Sequence, residues 1–194
     1  MLSTELQNWK SDGHYLRVNT FGHQIFYKNY GDSNADSDKT LLLLHGFPES
    51  SYSFHKVIPG LSEIFDRIVV FDMLGYGLSD KPSENYTYSL FEQADVALQL
   101  WAHLGIKGGH LLSHDMGVSV TTELITRQIY DILPDWFSDG FKTFTFTNGS
   151  MVLGFAKLRI TQKILLSKYG HWMSKLTSFK IFNHQVRSAH GNDN

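Results

Sequence analysis

The run Ser113-His114-Asp115-Met116-Gly117 sets one carboxylate between two small residues. It lies where the apolar stretch "GHLLS" gives way to helical spacing, so the chain must turn sharply at Asp115. A strand that enters a helix through so tight a bend holds the central side chain on a strained turn, beyond the carboxyl end of the strand. Positions two before and two after must be small, because strand and helix nearly touch there. Ser113 and Gly117 meet that requirement for Asp115. If Ser113 were the central residue, its flanks would be Leu111 and Asp115, both too large. The pattern fits an aspartate nucleophile and not a serine one. A carboxylate with an ordinary pKa of about 3.9 is anionic at neutral pH and attacks without a base to activate it.

Such a nucleophile needs donors for negative oxygen. Met116 would give its backbone N–H, backed by the partial positive charge of the helix that starts there. The second donor is expected from "HGFPES", which follows the apolar run "TLLLL". Gly46 lets the backbone turn inward, Phe47 supplies the N–H and Pro48 fixes the loop. His45 reads as a loop-ordering residue, since no H-x-H or H-E-x-x-H companion marks it as a metal ligand. His114 reads as packing beside the bend, and Asp72 and Ser79 as holding their own loop. Gly75 and Gly77 in "FDMLGYGLSD" do not spell G-x-G-x-x-G, so no dinucleotide site is expected there; with no metal-ligand spacing at His45 either, the expectation is no metal and no cofactor.

The elements that would position these groups alternate along the chain. "HYLRVNT" (14–20) and "HQIFYKNYG" (23–31) read as a hairpin through Gly22. "TLLLLHG" (40–46), "RIVVFD" (67–72) and "GHLLS" (109–113) are apolar runs suited to strands buried on both faces, and "FKTFTFTNG" (141–149) is a fourth such strand. Helices are predicted over 50–65, where Phe54, Val57, Ile58 and Leu61 share a face, over 89–105 with Gly105 as its stop, and over 116–130. The expected fold is an α/β core with a mostly parallel sheet and an antiparallel hairpin at its start, over residues 1–150.

Composition narrows the partners. The 194 residues carry a net charge of −2, which gives no reason to invoke nucleic acid, and no cysteine, which excludes disulfides and thiol catalysis. No apolar run is long enough for a signal peptide or a membrane span, so a cytoplasmic location is the expectation. Charge is uneven. Residues 151–194 hold seven basic residues against one acid, a net +6, which leaves −8 on 1–150. The basic segment has helical spacing and is read as the start of a lid over the sheet. A membrane-surface contact is the weaker alternative.

Together "HGFPESSYSF", "FDMLGYGLSDKP" and "LLSHDMG" resemble the α/β-hydrolase superfamily, and within it the epoxide hydrolase and haloalkane dehalogenase branch with its aspartate nucleophile. "WKSDG" and "FEQA" bring the likeness closer to the mesoderm-specific transcript group. The resemblance covers roughly residues 8–150. It implies that Asp115 attacks an electrophilic carbon of a small apolar substrate, an epoxide or ester-like molecule, to give an alkyl ester. A histidine oriented by a second acid then hydrolyses that ester. In the family these two follow further strands beyond the lid, which the 194 residues do not supply. The chain therefore reads as a core truncated after its sixth family strand, with 141–147 left as an exposed edge. Some relatives carry the acid where this chain has Asn148. His171, His184 and His190 fall in the lid segment, where Tyr169 is a candidate proton donor. Typical dehalogenases and epoxide hydrolases both have, in place of Met116, a tryptophan whose indole N–H binds halide in the dehalogenases. Dehalogenases also use an amide side chain in place of Phe47. Lacking both donors, this chain is expected to favour epoxide opening over halide release. A non-catalytic isoform or fragment that binds a ligand or partner is the alternative.

Overall fold

Four successive apolar residues cannot keep one face wet, and the two strands with such runs are buried throughout. In the computed structural model, which describes residues 4–149 with Lys163, Ser167 and Lys168, β3 (Thr40–Leu44) and β4 (Arg67–Phe71) are buried at every position. With β1 (His14–Val18), β2 (His23–Gly31), β5 (Gly108–His114) and β6 (Gly140–Thr147) they form one six-stranded sheet of order β1-β2-β4-β3-β5-β6. β1 and β2 pair antiparallel, as do β2 and β4; the β4–β3, β3–β5 and β5–β6 ladders are parallel.

Alternate side chains feed two cores. Ile25, Leu42, Leu44, Val69 and Phe71 face the helices α3 (Leu90–His103) and α4 (Met116–Ile129), packing with Leu98, Trp101, Val120 and Leu124. Phe26, Leu41, Leu43, Ile68 and Val70 face the other way, against Trp9 of α1 (Thr4–Ser11), Phe54 and Ile58. Ser89 caps α3 in a capping box with Glu92, and Gly105, at φ 67°, lies just past its end.

The predicted helix over 50–65 does not form as one element. It splits into a 3₁₀ turn (Ser51–Phe54) and a single short turn of helix, α2 (Ile58–Leu61). Pro59 has no N–H and is confined to the start of a helix, so the apolar spacing that crosses it cannot be one continuous face. Val57 is accordingly 50% exposed while Phe54 and Ile58 are buried. The sequence reading assigned no element to α1. It contributes one buried side chain, Trp9, and is tied down by Lys28, whose ammonium lies 4.1 Å above the Trp9 ring and pairs with Asp12.

β3 occupies the middle of the order. From it the chain passes to β4 on one side, and from β5 to β6 on the other. Loops leaving the carboxyl ends of β3 and β5 therefore diverge and open a crevice between them, the usual place for a ligand in a parallel sheet. Among the described residues β6 forms one edge of the sheet, with Phe146 43% exposed and Lys142 paired to Asp38. The region 151–194, with Tyr169 and His171, His184 and His190, lies outside the described residues apart from the three named above. Among the described residues no helix is long and apolar enough to cross a membrane.

Candidate active site

Asp115 follows β5 directly and is the N-cap of α4. Its backbone sits at φ 48°, ψ −115°, a region that costs a residue with a side chain about 1–3 kcal/mol. The surroundings hold it there. Its N–H donates to Thr147 O at 3.0 Å, and its C=O accepts from Val118 N–H at 3.1 Å.

The small residues fall where strand and helix are closest. A Cβ on Gly117 would lie 2.6 Å from both Leu44 O and His45 O, so any side chain would strike backbone. Ser113 is completely buried, and among the described residues its Oγ has no hydrogen-bond partner. A Cβ on Gly46 would lie 2.4 Å from Asp115 Cβ. Glycine at 46 thus allows the loop after β3 to lie against the bend after β5.

That contact carries two donors to one oxygen. Met116 N–H donates to Asp115 Oδ1 at 2.6 Å, and Phe47 N–H donates to the same oxygen at 2.9 Å. Among the described residues Oδ2 accepts no hydrogen bond, so the carboxylate has one oxygen held and one open. Two fixed amide donors on one oxygen suit the negative charge that develops when a carboxyl derivative is attacked. The Phe47–Pro48 peptide is cis, and the Phe47 side chain is 55% exposed.

His45 lies beneath this loop, fully buried. Its Nε2 accepts from Met73 N–H at 3.0 Å, which requires a lone pair there, and its Nδ1 donates to Gly46 O at 2.9 Å. The ring is thereby held neutral and links the loops after β3 and β4. Burial pushes its pKa below the ordinary 6.5, against the opposing charges of Asp72 and Glu49. A proton then binds more readily to the unfolded chain. The stabilisation is complete above about pH 6.5 and is lost as pH falls towards the lowered folded value. We expect the urea midpoint to drop between about pH 7 and pH 5, and His45→Gln, which can keep both hydrogen bonds, to flatten that slope. An unchanged slope in the variant would remove His45 as its cause.

Asp72 is buried and takes Ser51 N–H at 2.7 Å and Leu78 N–H at 2.6 Å, while Ser79 Oγ donates to Asp72 O. These bonds fold the "GYGLSD" loop back over β4. His114 directs Nδ1 to Thr147 Oγ1 at 3.0 Å and holds Nε2 3.9 Å from Glu49.

One residue of the site was missed by the sequence reading. Tyr76, at the tip of that loop, packs edge-on against His45 and Phe47 with centroids 5.3 and 6.3 Å away. Its hydroxyl donates to Met116 Sδ at 3.3 Å. Burial, and next the charge of Asp115, push the phenol upward, so it keeps its proton at neutral pH. The quoted "GYG" held Tyr76 in view, but nothing local in sequence says that this loop returns to residue 116.

Two cavities lie elsewhere, one of about 270 Å³ lined by Arg67, Ile106, Lys107 and Gly108, the other by Leu133, Phe137 and Asp139 among others. Both adjoin the amino ends of β5 or β6, the opposite end of the sheet from Asp115. Among the described residues no group of three or more His, Asp or Glu could hold a metal ion.

Comparison with known proteins agrees with this architecture. The protein LipZ of Mycobacterium tuberculosis is 38% identical over 178 residues, which cover 92% of this chain and 57% of that protein. The human mesoderm-specific transcript homolog protein is 42% identical over 128 residues, covering 65% of this chain and 37% of its own. The solved structure of the epoxide hydrolase CorEH superposes with a TM-score of 0.58 at 26% identity, over 79% of this chain and 48% of that one. The chain thus spans about a third to a little over half the length of these curated relatives. The family defined by the alpha/beta hydrolase fold matches residues 39–189, and with the strand order and the loops that meet at Asp115 it establishes that the chain belongs to the alpha/beta hydrolase fold family.

Proposed function

We propose that Asp115 is the nucleophile of a hydrolase that opens small apolar epoxides through an alkyl-ester intermediate. The observation that carries this reading is the carboxylate at φ 48° with Oδ1 held by Phe47 and Met116 N–H and Oδ2 open. Oδ2 attacks the carbon, and Oδ1 becomes the carbonyl oxygen of the ester. Attack of water on that ester would place negative charge on Oδ1, where the two amides already sit. Each such donor contributes about 3 kcal/mol in comparable sites.

Halide is a poorer leaving group here. A departing halide needs a donor, and neither the Met116 thioether nor the Phe47 ring has one.

Hydrolysis needs a base aimed at the ester. His45 is buried with both nitrogens engaged, and His114 faces Thr147 and Glu49. Neither is directed at Asp115, so the described residues support the first half-reaction only. The segment 151–194 retains, from its sequence, the reading of a cap. We expect the 194-residue chain, incubated with excess epoxyhexane, to gain one equivalent of the intact epoxide and then stop. Diol released over many turnovers would refute the account of the second step, and an unmodified chain would refute the nucleophile.

A further inference from the structure

Opening an epoxide places charge on oxygen as well as carbon, and that oxygen needs a proton. The inference below rests on the nucleophile reading above. We infer that the Tyr76 hydroxyl is the donor to the substrate oxygen at the Asp115 site, a role filled from the loop after β4 and not from the cap.

Three observations carry it. The hydroxyl lies 3.3 Å from Met116 Sδ, on the residue whose N–H holds Asp115 Oδ1. A thioether is a weak acceptor, so this hydrogen bond costs little to exchange for one to substrate oxygen. The ring is fixed from two sides by His45 and Phe47, so the hydroxyl is aimed before substrate arrives. Electrostatics act in the same sense. The charge on Asp115 helps keep the phenol protonated. Esterification removes that charge at the moment the proton is required.

The step balances. Asp115 Oδ2 forms a bond to the less substituted epoxide carbon, and the C–O bond at that carbon breaks with its electron pair passing to oxygen. The alkoxide takes the Tyr76 proton and becomes a hydroxyl. The resulting phenolate is reprotonated by water.

Tyr76→Phe isolates the hydroxyl, because the ring and its packing on His45 and Phe47 remain. Two alkylating probes separate the roles: epoxyhexane, whose oxygen must be protonated, and hexyl methanesulfonate, whose leaving anion needs no proton. Ester formation on the full chain is followed by intact mass. In Y76F the rate should fall about 100-fold with the epoxide and change less than about twofold with the methanesulfonate. Tyr169→Phe is measured alongside and should react with both probes like the wild type. Equal epoxide rates in Y76F and wild type would overturn the assignment. So would loss of both reactions in Y76F, which would make Tyr76 structural, or a selective epoxide defect in Y169F instead. A wild-type chain that takes the methanesulfonate but not the epoxide also overturns it while sparing the nucleophile. One that takes neither overturns both.

Discussion

Asp115→Asn is expected to slow ester formation with epoxyhexane by at least about 1,000-fold, the scale of loss when a nucleophile is removed. An amide is uncharged and a poor nucleophile, yet it has the shape of the carboxylate. Its carbonyl oxygen can accept from Phe47 and Met116 N–H as Oδ1 does. Asparagine also tolerates positive φ better than most residues, so the bend at φ 48° survives the change. What is lost is charge: the attacking electron pair and its attraction to the α4 N-terminus. That attraction is worth about 0.3–1 kcal/mol at exposed sites, so folding should be nearly unaffected while the reaction disappears. Intact-mass time courses on D115N and wild type, with thermal melts of both, separate chemistry from folding. A D115N chain that is alkylated at the wild-type rate would relocate the nucleophile.

Gly117→Ala is expected to destabilise the chain by about 2 kcal/mol and to slow alkylation as well. Two opposing effects decide the sign. Alanine favours helix over glycine by about 1 kcal/mol, and residue 117 is the second of α4. The added Cβ, however, would stand 2.6 Å from two backbone oxygens, Leu44 O and His45 O. Backbone cannot swing aside like the end of a side chain, so α4 or the end of β3 must shift, and overpacking of this kind costs about 1–3 kcal/mol. The shift acts where the loop carrying Phe47 meets Asp115, so the 2.9 Å bond from Phe47 N–H lengthens first. Urea melts and the alkylation rate measured together test both halves. A stabilised variant with wild-type reactivity would mean the strand–helix gap is looser than these distances.

The parallel core was legible in sequence because burial on both faces leaves little choice of residue. Thr40–Leu44 and Arg67–Phe71 read as continuous apolar runs with one polar residue each, at the start. α1 was not legible, since it buries only Trp9 and its eight residues give no stripe. The segment 50–65 misled for the opposite reason: its apolar positions repeat as a helix would, but Pro59 breaks the hydrogen-bond ladder that the repeat implies. At the site, the bend was visible because its steric demand lies within five residues. The neutral tautomer of His45 and the place of Tyr76 were not. Each depends on a contact across 28 or 40 residues, to Met73 and to Met116, that only the sheet order brings about.

In the proposed function a strained turn holds one Asp115 oxygen on two amides and leaves the other free to bond carbon. Proteolytic peptide mapping of the epoxyhexane adduct tests it most directly. The account predicts a single ester, on the side chain of Asp115, absent from the same peptide of D115N. An adduct carried instead by another residue, with the Asp115 peptide unmodified, would contradict it.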